Sequence, residues 1–391
     1  MKKLKYLLLV TPLFLVGCFS PPIPDIEVTI QNADPNIIVE LPNEITDFYF
    51  RTALPFQPSP SRGLIYNYII NRADIGQVEM SLMRIATDYF DPEIFFVREG
   101  QQLTRDFTAD LLRHHNLEPE FSFESARGLN PPLGASFTFG NFSATNTEGS
   151  LVRPLSYILE QNFVTISDNN EFQLEGVAIA IALNPYYNEI DRNIGLHLQH
   201  RMSDDDIVNI GKDIASELLS HLRIQEALAE VPILIGLYIL KTDQDVIPGH
   251  FASVAYVEES RTSISSWTPI NERHFSLPDP TNTIHSYTND VNISDQYLAF
   301  RESIENYFPH RNGIVARAHF VDRNLYRLSI NFNMSFLGAT EKISFFQHLE
   351  ESVLIFSEEY DIRITVQDLR SQLGSLRRPP GGEIKISLFD W

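Results

Sequence analysis

The chain has 391 residues, a formal net charge of −21, 43% apolar residues and one cysteine. This negative charge disfavours nucleic acid as a partner, because nucleic-acid binding depends on contacts from Lys and Arg to phosphate, and a lone cysteine leaves no partner for a disulfide within the chain. The fold must therefore rest on a hydrophobic core, and the length allows two or three structural units.

The first 17 residues have the pattern of a bacterial lipoprotein signal peptide. Three lysines within the first five residues form a basic head, and an apolar stretch leads to Gly17 directly before Cys18. This order is typical of secretory signals, and the apolar stretch is shorter than the roughly 20 residues that a bilayer span needs. A cysteine at this position is typical of a lipobox, where the thiol takes a diacylglyceryl group and cleavage makes Cys18 the new N-terminus. An uncleaved anchor or a buried free thiol is the alternative.

The lipobox predicts a location and two maturation partners. We expect lipoprotein diacylglyceryl transferase and signal peptidase II to process the chain, and palmitate-type acyl chains to hold it at the extracytoplasmic face of the cell membrane. Each buried CH2 contributes about 0.8 kcal/mol, so two acyl chains suffice for stable anchoring. Prolines recur among Asp, Asn and Glu over residues 18–45, which predicts a semi-rigid tether between anchor and folded body.

From residue 46 the hydrophobic pattern predicts helices, at 74–90 and 104–115, followed by two copies of a β-β-α-β-β unit. In the first copy, strands are expected from residue 176 and at 195–200, 232–240 and 250–257. Ser203 and Asp206 form a capping-box pattern at the start of its helix. In the second copy, strands are expected at 313–321, 326–334, 362–366 and 384–389, with a helix from residue 338. A separate helix at 295–308 is expected to precede this copy. The shared order indicates a duplication, although coincidence between two ordinary α+β stretches is the alternative.

The expected fold class is therefore α+β, with two related repeats and additional N-terminal helices after the signal peptide and tether. The first repeat region covers residues 46–260 and the second covers residues 291–391. Residues 261–290 are rich in Ser, Thr, Asn and Pro, which favours a linker between the two.

Several strings are more specific than any periodicity. They are FYFRTALPF at 48–56, SRGL at 61–64, NRAD at 71–74, LMRIA at 82–86, REGQ at 98–101, YILEQ at 157–161 and GVAI at 176–179. With the lipobox-like start, the chain resembles the CamS family of Gram-positive lipoproteins, known as sex pheromone precursors. The resemblance covers most of the chain, is strongest between residues 49 and 184, and implies two related repeats.

The resemblance also implies that the signal peptide is itself a product. In this family the apolar peptide before the lipobox cysteine is released by proteolysis and acts outside the cell as a mating signal. The equivalent segment here is Thr11, Pro12, Leu13, Phe14, Leu15, Val16 and Gly17. Family pheromones begin with Ala-Ile-Phe and end in Ala or Ser, so Pro12 and Gly17 depart from the pattern. Proline removes a backbone donor of the kind that extended-peptide recognition uses, so a mating signal from this particular peptide stays a hypothesis.

No motif in the body predicts catalysis, a cofactor or a metal, so a non-enzymatic body is expected. H-E-x-x-H, G-x-S-x-G and a phosphate-binding loop are all missing from the sequence. His114 and His115 end a predicted helix, and His197 and His200 fall on opposite faces of a strand, so neither pair is expected to bind metal. The acids at 204–206 are better explained by the dipole of the following helix than by calcium binding.

Five arginines occur in the family-like strings of this acidic chain: Arg51, Arg62, Arg72, Arg84 and Arg98. They form either salt bridges with the surplus acids or a groove for an anionic or peptide ligand of the cell wall. Two functional hypotheses remain. The chain is a precursor of a signalling peptide whose body has an unknown role, or it is an extracytoplasmic ligand-binding or protein-interaction lipoprotein without pheromone activity.

Overall fold

The computed structural model describes residues 49–115, 128–139, 142–147, 152–167, 171–191, 196–288, 292–308, 313–334, 338–368 and 371–389. The expected signal peptide, Cys18, the pheromone segment and the tether lie outside the described residues. Thr46–Trp391 forms one compact unit. None of the helices within the described ranges is both long and apolar enough to cross a membrane.

Three of the α-helices in the described ranges begin at a residue whose side chain caps the first turn: Asn71, Thr104 and Ser203. Their bounds are α1 (Ile65–Tyr68), α2 (Arg72–Ala86), α3 (Arg105–Leu111), α4 (Asp204–Arg223), α5 (Thr283–Tyr287), α6 (Ile293–Tyr307) and α7 (Ala339–Ser352). Ser203 Oγ accepts a hydrogen bond from the Asp206 amide at 3.1 Å and donates to the Asp206 carboxylate at 2.7 Å. The capping pattern expected for α4 is therefore present, and acids occupy its first turn, where the helix dipole favours them.

The described residues also contain short strands that join in four sheets. Their bounds are β1 (Arg51–Thr52), β2 (Phe96–Glu99), β3 (Ser136–Phe139), β4 (Phe142–Thr145), β5 (Leu155–Ile166), β6 (Phe172–Leu183), β7 (Tyr186–Asp191), β8 (Leu196–Arg201), β9 (Ile233–Ile239), β10 (His250–Val257), β11 (Thr268–Pro269), β12 (Glu272–Leu277), β13 (Gly313–Val321), β14 (Asn324–Asn333), β15 (Ile362–Gln367), β16 (Gln372–Arg378) and β17 (Lys385–Leu388). The fold is α+β, as predicted.

The first large sheet has the order β1-β2-β5-β6-β9-β10-β11 within the described ranges. Strand β6 pairs in parallel with β9 through the crossover helix α4, and β9 pairs antiparallel with β10. Every residue of β9 is buried, as expected for a central strand covered on both faces. Helices α2 and α4 both pack on this sheet, and Leu82 and Leu218 from these helices join its core.

The second large sheet has the order β12-β13-β14-β15-β16-β17. Strand β14 pairs in parallel with β15, and α7 forms the connection. Its core is rich in aromatic side chains: the Phe332 ring lies 6.3 Å from Phe300 of α6 and 5.4 Å from Phe345 of α7, measured between ring centroids. The two sheets therefore have separate cores within one compact unit.

The strands that form the two large sheets differ from the expected β-β-α-β-β order in both halves. The segment expected at 195–200 forms β8, which pairs with β7 in a separate two-stranded sheet, and β5 instead pairs with β6. In the second half, β16 lies between β15 and the C-terminal strand. Polar residues within β5 and β16 obscure the alternation on which the sequence prediction depends. Residues 261–290, expected as a linker, contribute β11 to the first sheet and β12 to the second.

Candidate functional site

The carboxylate of Glu272 lies where the two halves of the chain meet. Glu272 is the first residue of β12, and its side chain is fully buried. From the first half, Ser81 Oγ donates to Oε1 at 2.9 Å, the Phe251 amide donates to Oε2 at 3.3 Å, and Arg84 Nη2 lies 3.3 Å from Oε1. From the second half, His319 Nε2 lies 2.7 Å from Oε1. Since an ionised carboxylate only accepts hydrogen bonds, His319 is the donor.

Strand geometry places two histidines beside this carboxylate. Glu272 and His274 are two residues apart in β12, so their side chains point to the same face of the sheet. His274 lies directly opposite His319 of the antiparallel strand β13. Their rings stack with centroids 4.1 Å apart and planes inclined by 21°. The second sheet thus presents one carboxylate and two imidazoles from its first two strands.

Opposing effects set the ionisation of this cluster. Burial raises the pKa of Glu272, but the hydrogen bond and charge of His319 and the charge of Arg84 outweigh it, so the pKa lies well below its ordinary value. Burial lowers the pKa of His274 well below its ordinary value, and the charge of His319 adds to the effect. His274 is therefore neutral at pH 7 beside an ionised Glu272.

Two buried imidazole nitrogens near the cluster have no hydrogen-bond partner among the described residues: Nε2 of His274 and Nε2 of His250. His250 is the first residue of β10 and precedes the amide that donates to Glu272. Burial, and then the charge of Arg273, lower its pKa to about 3. Buried polar atoms in folded proteins nearly always have a partner, so these nitrogens mark a place that can take up a ligand or an ion.

The cluster has the ligand types of a metal site. Glu272, His274 and His319 each offer one ligand atom, and these atoms all lie within 4.8 Å of one another. Two histidines and one carboxylate form one of the ligand sets of protein zinc sites.

A pair of tyrosines covers one side of the cluster and again joins the two halves. The Tyr326 ring meets the edge of His319 with centroids 5.2 Å apart and planes inclined by 73°. The hydroxyls of Tyr326 and Tyr49 are 2.6 Å apart. Arg84 lies over the Tyr326 ring at 6.0 Å. The contacts of Arg84 with Glu272 and Tyr326 thus connect α2 to the second sheet.

Three of the five arginines singled out in the sequence lie around β2. Arg51 lies over the Phe96 ring at 4.4 Å and donates to the Glu93 carbonyl oxygen at 2.7 Å. Arg62 forms a 2.9 Å ion pair with Glu99. Arg98 lies over the ring of Phe172 at 4.5 Å and donates to the Gln57 side chain. Aromatic rings and carbonyl groups, more than carboxylates, are the neighbours of this group.

The other two arginines have different surroundings. Arg84 belongs to the buried cluster through its contact with Glu272, and Arg72 is exposed at the first position of α2. Two of the five, Arg62 and Arg84, therefore pair with carboxylates, as the salt-bridge interpretation expected. His114 was not expected to bind metal. Its Nδ1 atom lies 2.7 Å from the Pro131 carbonyl oxygen.

Glu272, His274 and His319 were not among the residues that the sequence pattern singled out. The available signal was the Glu-x-His spacing, which puts both side chains on one face of a strand. It was hidden because 272–277 lies in a segment whose composition resembles a linker, and because His319 is distant in sequence.

Comparison with known proteins gives a family and a fold. A family model described as CamS, the sex pheromone cAM373 precursor, matches residues 56–383. The crystal structure of a sex pheromone precursor from Lactobacillus salivarius subsp. salivarius UCC118 is 21% identical, with a TM-score of 0.71 over 85% of this chain and 93% of that one. The C-terminal domain of the sex pheromone staph-cAM373 precursor from Staphylococcus aureus is 22% identical, with a TM-score of 0.65 over 82% of this chain and 98% of that one. A search among curated proteins gave no match.

Proposed function

The chain belongs to the CamS family of sex pheromone cAM373 precursors, and from this premise we propose that it is a lipid-anchored surface lipoprotein that also yields an apolar signalling peptide. The observation that carries the proposal is the position of Cys18 directly after Gly17, at the end of a basic and then apolar N-terminal segment. The family model matches residues 56–383 and does not include this N-terminal segment, so the match and the segment support the proposal separately.

Cys18 divides the chain into two products. Diacylglyceryl transferase attaches the lipid to the Cys18 thiol, and signal peptidase II cleaves after Gly17. The acidic body remains at the extracytoplasmic face of the membrane and has no enzymatic activity. Further proteolysis of the released signal peptide gives residues 11–17, an uncharged apolar heptapeptide that can enter a hydrophobic groove of a receptor.

Two measurements on one set of strains test this proposal. Mass spectrometry of culture supernatant should detect residues 11–17 or trimmed forms, while the body is found in the membrane fraction. The Cys18→Ser variant should lose the lipid and retain its signal peptide, whereas Ser20→Ala, two residues further on, should mature normally. Abundant mature lipoprotein without any peptide from residues 11–17 would overturn the pheromone proposal and leave the lipoprotein proposal intact.

We also infer that the two large sheets derive from a duplication, with repeats over residues 46–260 and 291–391. The same pairing sequence supports this: an antiparallel pair, a parallel crossover through a helix, and a second antiparallel pair. It runs through β5, β6, β9 and β10 in the first sheet and through β13, β14, β15 and β16 in the second.

A second function, ligand binding by the body, is favoured by the arginines around β2. Arg51, Arg62 and Arg98 lie beside aromatic rings, and the nearby Phe56 side chain is 55% exposed. Arginine over aromatic faces suits an anionic or peptide ligand of the cell wall. The combined Ala variant at these three positions should reduce sedimentation with purified cell walls, whereas Arg301→Ala, at a partly exposed position of α6, should not. Equal sedimentation of the two variants would exclude the β2 surface.

A further inference from the structure

We propose that Glu272, His274 and His319 bind a divalent transition-metal ion of the zinc type at the junction of the two halves. This inference is independent of lipidation and of the signalling peptide. It rests on the position of the three side chains in β12 and β13 and on the burial of the cluster between the second sheet, α2 and β10.

The strands hold the ligands close to the arrangement that such an ion needs. A tetrahedral site with bonds of about 2.1 Å places ligand atoms roughly 3.4 Å apart. The three ligand atoms already lie within 4.8 Å of one another, so small side-chain rotations bring them to bonding distance. Direct pairing of His274 with His319 across β12 and β13 fixes two ligands on hydrogen-bonded backbone.

The unpartnered nitrogen of His274 is the second observation that points to an ion. The residue is 9% exposed, and its Nε2 has no hydrogen-bond partner in the described part of the chain. An ion would satisfy a polar atom that the protein itself leaves without a partner.

Two groups at the site compete with a metal ion. His319 Nε2 donates a hydrogen bond to Glu272, so a metal that bonds Nε2 must replace this hydrogen bond, with the ring proton of His319 on Nδ1. Arg84 places a positive charge 3.3 Å from Oε1 of Glu272, which opposes a cation there. Arg84 Nε and Nη2 have no hydrogen-bond partner among the described residues, so removal of this guanidinium breaks the ion pair with Glu272 and removes the charge that opposes the metal ion. Ser81 and the Phe251 amide remain as outer partners that orient the carboxylate.

The test is titration of the purified full-length protein, stripped with EDTA, with ZnCl2 in a calorimeter. We expect one zinc per chain and a thermal midpoint that rises with zinc concentration, since an ion that binds the folded state stabilises it. His274→Ala should weaken binding by more than the roughly 10- to 100-fold that loss of an outer-shell partner produces. Arg84→Met should tighten it. His285→Ala, at an exposed histidine of α5, should leave it unchanged.

Cobalt substitution gives a second readout, which is first taken on the unmodified protein and so needs no variant to fold. The Co2+-loaded protein should show the strong visible absorption of a tetrahedral site, and this absorption should be lost with His274→Gln if His274→Ala does not fold. Absence of stoichiometric zinc from the unmodified protein would overturn the proposal. So would zinc binding that survives loss of His274 or that weakens equally with His285→Ala, which would indicate an adventitious ion only.

Discussion

Substitution of Glu272 by Gln is expected to destabilise the metal-free protein by about 3 to 5 kcal/mol. The carboxylate accepts hydrogen bonds from Ser81, Phe251 and His319 and forms an ion pair with Arg84. Gln keeps the shape but removes the charge and turns one acceptor oxygen into a donor. If the amide nitrogen faces the Phe251 amide, two buried donors oppose each other, at about 1 to 3 kcal/mol. Overall, loss of one partner of a buried charge pair costs about 3 to 5 kcal/mol.

Urea unfolding at pH 7 in the presence of EDTA, followed by circular dichroism, measures this change. The matched control is Glu305→Gln, which breaks an exposed ion pair of 2.6 Å with Arg301 on α6 and should change the unfolding free energy by only about 0.3 to 0.5 kcal/mol. The expected loss at Glu272 is a large share of the roughly 5 to 15 kcal/mol that stabilises a typical protein. A loss below about 1 kcal/mol would refute the conclusion that the buried carboxylate joins the two halves.

Three further predictions concern local packing, helix capping and pH, all measured by urea unfolding. Gly249→Ala should destabilise the protein by at least about 1 to 3 kcal/mol, because the added Cβ would overlap the Ile239 carbonyl oxygen. Gly76→Ala, inside α2 with open space around it, should stabilise the protein by about 1 kcal/mol. Effects of the same sign at both glycines would contradict the packing described. Ser203→Ala should remove about 1 kcal/mol and Ser203→Asp much less; equal losses would show that the cap of α4 contributes little. The pKa of His250 is lowered to about 3 by burial and by Arg273, so between about pH 6.5 and 3 the unfolded chain binds a proton that the folded chain does not. The free energy of unfolding should therefore fall as the pH drops through this window, by up to about 1.4 kcal/mol per pH unit from this group. His250→Phe should reduce this dependence on pH. An unchanged dependence would contradict the burial of a neutral His250.

The sequence predicted those helices and strands whose hydrophobic pattern or capping residues are uninterrupted. The apolar run at 232–240 corresponds to the fully buried strand β9, and the Ser203 and Asp206 pattern marks the start of α4. Both features lie within a few residues of sequence, where periodicity and capping chemistry act directly.

Elements that depend on distant partners could not be predicted in the same way. Strand β5 carries Glu160, Gln161 and Asn162 at buried positions, and each of these polar side chains makes at least one tertiary hydrogen bond. Glu160, for example, accepts from the Leu103 amide at 2.8 Å. The alternation that identifies a strand is therefore broken where the structure supplies polar partners. The Glu272 cluster could not be predicted either, because its groups come from α2, β10, β12 and β13, which are distant in sequence.

Intact-mass spectrometry of the membrane-bound protein tests lipid anchoring at Cys18 most directly. The protein extracted from membranes should begin at Cys18, lack residues 1–17, and carry the added mass of a diacylglyceryl group on the first residue. A membrane-bound chain that retains residues 1–17, or one that begins at Cys18 without added lipid mass, would contradict the proposed lipoprotein.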